Sequence, residues 1–527
     1  MNRIFATSVL LSCFAPAAIS ADADLYTKAL NPQAVLKPLA AEWPTFNGDY
    51  TGQRYSRLAQ INQDNVQRLT LAWVLQPESV GIKSMPLEVN GLLYFTTPNN
   101  VWSADARTGK IVWHYSRESS GDHIGQRGVG MYKDWLYFET PDCRLISLDA
   151  KNGKVRWDIE LADPKLEYFA TMAPLVIRNH VIVGVSGDVT DIPGFLESIN
   201  PETGKVEWKW NTEPSPGEPG AETWPQGTDA ISHGGGMTWM TGTYDPELNQ
   251  LYWGIGNPNP VLNGDIRKGD NLYTCSIVSL NPDTGKLNWH FQPSPHDTHD
   301  WDAVQTPVIF NDEHNGVTRK LLAQASRNGY FFLLDRTTGE HILTAPFIAT
   351  NWAKGTDSKG QPIPNPEKEP KPDGTLVSPG SDGATNWMAP TFNPNTGLFY
   401  VSARRVWSIF YMTAEGKPEG WAGRDRGLWA NSVLEAIDYN TGDIRWKHEI
   451  GQGEGVAGML STAGNLLFTS DNANNLLALD PKTGKTLWHV NLGARMQSAP
   501  MTYELDGKQY LLTPAGGILF AWKLANE

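Results

Sequence analysis

The segment 295–304 reads PHDTHDWDAV and carries the densest chemistry in the chain. Asp300 and Asp302 stand two residues apart, so on an extended backbone both carboxylates point to one side, where they repel each other unless a cation lies between them. His296 and His299 make an HxxH pair, but without a helical setting that spacing is a weak metal signal, and both read as structural or supporting groups. Upstream lie GIGNPNP over 254–260, with Asn257, and the run Gly269, Asp270, Asn271, Leu272, Tyr273. Taken singly these residues have plain readings: Asn257 before Pro258 is an ordinary turn opener, Arg127 and Arg327 can pair with surface carboxylates, and Trp239 can be core.

These residues need a frame, and a repeat supplies it. Seven times a hydrophobic strand is followed by Asp or Asn, then a turn ending in Gly, and in six copies a Trp stands eight residues after the acid: Asp105 with Trp113, Asp149 with Trp157, Asn200 with Trp208, Asn281 with Trp289, Asp438 with Trp446 and Asp480 with Trp488. In the copy starting at Asp335 the aromatic position is Leu343. The turn glycine of each copy, Gly109 for example, supplies a positive φ that other residues resist. The preceding Thr, Asn152 in the second copy, can bond to the turn backbone. Each Trp is too large to bury within one small sheet, so it must pack on the neighbouring unit. The expectation is an all-β, eight-bladed β-propeller with Trp-docking repeats, its last blade closed by pairing of N-terminal and C-terminal strands. The 103 residues between Asp335 and Asp438 leave room for an additional blade, with the strand-like GLFYVSA at 397–403 as its remnant.

The chain has 527 residues, and a repeat ring is one of the architectures in which that length makes a single domain. Its 50 Gly and 36 Pro favour strands and turns over long helices. A net charge of −14 argues against a nucleic-acid partner, which would require the opposite field. Arg3, the apolar run 4–12 and the small residues 15–21 have the layout of a secretory signal peptide over 1–21, leaving 22–527 as the mature domain, and no later segment is apolar enough to span a bilayer. Cys13 offers a second reading as a lipid-attachment site. Cys143 and Cys275, both in apolar strand-like surroundings, are expected to be unpaired. With no CxxCH the chain carries no c-type haem of its own. The polar stretch 354–380 reads as a surface excursion near one mouth of the ring.

With these motifs in order, the chain resembles the quinoprotein alcohol dehydrogenases of the methanol and ethanol type, over nearly the whole mature sequence. The resemblance implies an exported, periplasmic eight-bladed propeller that holds pyrroloquinoline quinone (PQQ) and a metal ion on the ring axis, oxidises an alcohol to the carbonyl, and passes electrons to a separate soluble cytochrome c. By that resemblance Asp300 takes the alcohol proton, and Arg327 in SRNG stabilises charge on the quinone oxygen. Trp239 in GGGMTW is the floor under the cofactor. Arg127 in QRGVG, Thr171 in ATMAP and Ser186 in VSGD hold the cofactor carboxylates, with Asn386 in TNW a further contact. Asn257 is a metal ligand together with Asp300. Asp302 resembles the extra acid of the lanthanide-using members, so the metal is Ca²⁺ or a lanthanide, with the lanthanide preferred.

Two departures stand out. Where the family has a Glu metal ligand this chain has Val189, which cannot ligate, and Asp188 can replace it only if the backbone bulges there. Where the family has a vicinal cysteine pair over the cofactor, Gly121 and Asp122 stand here. These departures, with Cys13, keep open an alternative from another class: a non-catalytic propeller, either an envelope scaffold lipoprotein or a quinoprotein relative with an emptied site.

Overall fold

The computed structural model of the protein describes residues 29–78, 80–119, 125–187, 192–314, 316–413, 420–453, 455 and 457–525. The signal segment 1–21 with Cys13, and Gly121, Asp122, Asp188 and Val189, lie outside the described residues. Regular structure is β-strand with a few short 3-10 turns, and no helix among the described residues is long and apolar enough to cross a membrane.

The strands gather into antiparallel sheets over residues 87–116, 130–160, 175–211, 243–291, 308–346, 375–452 and 460–491, the last joined in parallel by the short strand Tyr55–Ser56. A further sheet combines Met501–Leu505, Lys508–Ala515 and Ile518–Leu524 with Leu69–Leu75, pairing Leu69 with Leu524 and so closing the N-terminal end of the fold on the C-terminal one. The expected closure is present.

The repeat phrase works as its chemistry requires. In the first copy the Asp105 carboxylate accepts the N–H groups of Arg107 and Thr108 at 2.8 and 3.0 Å, and Gly109 takes φ +72°. Every one of the seven turn glycines has φ between +69° and +77°. A Cβ at Gly153 would lie 2.6 Å from the Trp113 ring, and at Gly285 2.7 Å from Trp208, so the indole of one sheet rests on the bare turn of the next. Each docked indole also donates its Nε1–H to a carbonyl of that turn, Trp113 to Ala150 at 2.9 Å and Trp208 to Pro282 at 2.8 Å. Trp73 makes the same contact with Gly109, and its Nε1 reaches Ala106. Leu343 and Ala345 take the place of the indole against Gly442, and Trp488 meets Trp522 edge to face, which completes the circuit of sheets. This is the sheet-to-sheet packing of a β-propeller.

One expectation is corrected. The run 397–403 is no remnant of an additional blade: it begins the strand Leu398–Met412, which pairs along its whole length with Gly423–Asp438, so it belongs to the sheet whose turn is at Asp438. The 103 residues are spent on this long hairpin, on the strand Thr375–Val377 against it, and on the small hairpin Ala353–Thr356 with Pro362–Pro364. Cys143 and Cys275 are buried and free.

Candidate active site

At the hub, adjacent sheets are stitched by backbone hydrogen bonds. Met85 N–H bonds Arg127 O, Arg127 N–H bonds Thr171 O, Thr238 N–H bonds Val185 O, Gly256 N–H bonds Met237 O, Ala303 N–H bonds Ile255 O and Ala384 N–H bonds Arg327 O, all at 2.7–3.0 Å. The sequence-predicted site residues sit on or beside these stitches, which is why residues far apart in the chain converge. Arg127, Thr171, Ser186, Trp239, Asn257, Asp300, Asp302, Arg327 and Asn386 all line one cavity of about 440 Å³. Asp188 is the only predicted site residue not placed, and Gly187 beside it reaches the same cavity.

The segment after His299 is held rather than extended. Asp300 has φ +66°, a left-handed conformation uncommon for a residue with a Cβ. Trp301 turns away from the cavity, fully buried, with its Nε1–H on Gly380 O at 2.9 Å. Asp300 and Asp302 therefore do face one side, as their spacing implies, with a kink in place of a straight strand. His299 is buried behind them, stacked on Trp301 at 4.4 Å and bonded through Nε2 to Lys368 O, while His296 bonds Gly269 O. Burial lowers both imidazoles to about 4, so they are neutral supports.

The cation between the two carboxylates is Arg327. Its Nη1 donates to Asp302 at 2.7 Å, its Nη2 to Asp300 at 2.8 Å and to Ser381 O at 2.6 Å. Asp302 is the more heavily engaged acid, also accepting Asn257 N–H at 2.6 Å and Trp239 Nε1–H at 3.0 Å. Burial pushes the Asp300 carboxyl well above the ordinary range; Arg327 opposes this, and Asp302 and Asp297 add to it. Among the described residues no cluster of three or more His, Cys, Asp or Glu forms a cage; Asn257, Asp300 and Asp302 are hard oxygen donors that sit together on one side of the cavity.

Across the cavity, Arg127 lies between two indoles, 4.8 Å from the Trp239 ring and 5.0 Å from Trp387. Its Nη1 donates to Thr171 Oγ1, which in turn meets Ser186 Oγ at 3.2 Å. Burial lowers its guanidinium to about 9, with Glu139 opposing this, and its Nε has no partner among the described residues. Arg327 Nε is orphaned in the same way. Two buried cations with unused donors, two hydroxyls and an indole face describe a receptor for a planar, multiply anionic group. The tricarboxylic quinone PQQ fits that donor set.

The motifs of the sequence do not single out Trp387, Arg404, Asp382 or Arg495, all of which line the cavity. Trp387 follows Asn386 directly, and that adjacency is the available signal. Arg404 is buried and bonded to Asp382, and Trp421 reaches the cavity edge through the backbone bond of Leu262 N–H to its carbonyl.

Comparison with known proteins agrees with this geometry. The family model for the PQQ glucose/ethanol/alcohol dehydrogenase β-propeller domain matches residues 43–373 and 425–511, leaving 374–424 unmatched. The chain is 34% identical to quinoprotein alcohol dehydrogenase PedH of Pseudomonas putida over 97% of this chain and 92% of that protein. It is 33% identical to 1-butanol dehydrogenase (cytochrome c) of Thauera butanivorans, over 90% of this chain and 74% of that one. A europium-containing methanol dehydrogenase superposes with a TM-score of 0.86 at 28% identity, covering 93% of this chain and 99% of that structure. The chain therefore belongs to the PQQ-dependent quinoprotein alcohol dehydrogenases, oxidoreductases built on a β-propeller.

Proposed function

We propose that the protein is a periplasmic, eight-bladed PQQ-dependent dehydrogenase, exported by the segment 1–21, that oxidises an alcohol to the aldehyde or ketone and passes the electrons to a separate cytochrome c. The observation that carries this reading is the Arg327 guanidinium held between Asp300 and Asp302, opposite the unpartnered Nε of Arg127, in one cavity. Bound PQQ supplies the acceptor for the alcohol's hydride, and Ca²⁺ or a lanthanide supplies Lewis-acid polarisation.

The chain's own part is positional and electrostatic. Asp300 accepts the hydroxyl proton at its carboxylate, whose pKa burial raises in the metal-free protein. Arg327 holds Asp300 by one nitrogen and keeps its unused Nε–H for charge developing in the cavity. Trp239, fixed by its bond to Asp302, is the floor for a planar group, and Arg127 with Thr171, Ser186 and Asn386 binds its carboxylates. Asn257, Asp300 and Asp302 would hold the metal, with Asp188 a further candidate ligand. The second carboxylate favours a trivalent lanthanide over Ca²⁺. Reconstitution with PQQ and either Ca²⁺ or La³⁺ should give alcohol-dependent dye reduction across a panel of primary and secondary alcohols; absence of both cofactor binding and dye reduction would contradict the proposal.

A further inference from the structure

Several exposed apolar side chains of this protein belong to the repeat. Ile111, Val155 and Val206 each stand two residues before a docked tryptophan at the start of an outer strand, so their exposure comes with the architecture. Leu428 and Trp429 have no place in that pattern, yet they are 54% and 50% exposed. They lie on Gly423–Asp438, which with Leu398–Met412 forms a hairpin of strands 16 and 15 residues long, the longest among the described residues. The half of Gly423–Asp438 from Ser432 onward is buried in its sheet; the half before it is open. A register break between Trp407 and Ser408 leaves Leu428 outside the ladder.

The same open half carries Arg424 and Arg426, both exposed. In a chain of net charge −14, two exposed guanidiniums flank the half-buried Asp425 on the same strand half as an exposed Leu and Trp. Tryptophan and arginine are the residue types that dominate protein interfaces, and a basic patch selects an acidic partner. The patch is also wired to the site. Between the two arginines, Asp425 accepts Ser381 N–H at 3.3 Å, and Ser381 O accepts Arg327 Nη2 at 2.6 Å.

The geometry points to residues 424–429 as the docking surface for an acidic electron-accepting protein, a c-type cytochrome whose haem edge is rimmed by carboxylates. This rests on the dehydrogenase reading above. Each encounter reduces one ferric haem to ferrous, so two acceptor molecules are consumed per alcohol oxidised, and the two protons leave to solvent.

The test uses the reconstituted full-length enzyme, a basic c-type cytochrome, and the same cytochrome made acidic by succinylation of its lysines. The succinylated form should be reduced about tenfold faster at low ionic strength, an advantage that collapses at high salt. Arg424→Glu with Arg426→Glu should remove that advantage, and Trp429→Ser should lower cytochrome reduction, while dye reduction stays at the parent rate in both. Preference for the unmodified basic cytochrome, or variants that reduce the succinylated form as fast as the parent, would overturn the assignment. So would conversion of a parent dimer to monomer by Trp429→Ser in sedimentation, which would give the patch to a second copy of the chain. If the parent reduces neither dye nor cytochrome, the dehydrogenase reading has failed instead. Calorimetric titration with the succinylated cytochrome then decides the surface: binding lost in the Arg424→Glu, Arg426→Glu variant supports it, and no binding by the parent overturns it.

Discussion

Arg327 Nη1 donates to the Asp302 carboxylate at 2.7 Å while both side chains are about 5% exposed, so the two charges are solvated mainly by each other and by the second acid, Asp300. A buried arrangement of this kind is costly to break on one side, since the remaining charge is left without a partner. It also divides labour between the acids. Asp302 accepts from Arg327, Asn257 and Trp239, whereas Asp300, among the described residues, accepts from Arg327 and is the acid freer to take a proton.

Asp300→Asn should therefore lower kcat by about 10²–10⁴-fold while leaving PQQ binding near that of the parent, because Asp302 stays paired with Arg327. The basic form of Asp300 appears only as pH rises through its pKa, which burial raises in the metal-free protein and a bound cation lowers. Turnover of the parent should climb with pH on its acid limb, and Asp300→Asn should remove that limb.

Asp302→Ala should lower the ratio of La³⁺-supported to Ca²⁺-supported kcat/KM by at least about tenfold, since the trivalent ion gains more from an added hard oxygen. Some loss with both ions is expected, because Asn257 N–H and Trp239 Nε1–H lose their acceptor. An equal fractional loss with both would remove Asp302 from a metal-selecting role.

The docking tryptophans give a stability prediction. Trp208 is 9% exposed and rests on Gly285, so Trp208→Ala should cost about 3–5 kcal/mol in chemical denaturation. Trp208→Phe keeps most of the packing and loses the bond to Pro282 O, a cost nearer 1 kcal/mol. If the two variants were equally destabilised, the hydrogen bond rather than packing between sheets would be what Trp208 mainly contributes.

Glu88 tests the cost of a buried acid. It is fully buried and bonded to Gly91 N–H through Oε1, and burial pushes its carboxyl from its ordinary value of 4.5 up to about 8. The folded protein holds this proton where the unfolded chain has lost it, so stability falls as pH rises from 4.5 to about 8 and then levels. Glu88→Gln should flatten the melting temperature against pH across that window; an unchanged slope would show that Glu88 is ionised in the folded state.

The fold is legible in the sequence because its unit is local: acid, turn glycine and tryptophan lie within nine residues, and each carries its own physical reason. Trp73 does not stand out there because its repeat is split across the chain, its partner strand Ile518–Leu524 lying at the other end. The run 397–403 reads as a separate blade because strand length is set by a partner, and nothing local says that Leu398–Met412 pairs to its tip. In the site, the spacing of Asp300 and Asp302 announces a shared cation, but it cannot say that the cation present is Arg327, which reaches them from 25 residues or more along the chain. Arg404 and Arg495 carry no motif, and only the ring brings them to the cavity.

The most direct test is a crystal structure of the protein reconstituted with PQQ and La³⁺. The tricyclic quinone should be stacked on Trp239 with Arg127 moved to its edge, and the ion bound by Asn257, Asp300 and Asp302 at hard-cation distances of about 2.3–2.6 Å. Arg127 still lying over Trp239 in a cavity without quinone density, or the ion bound away from these three residues, would contradict this prediction.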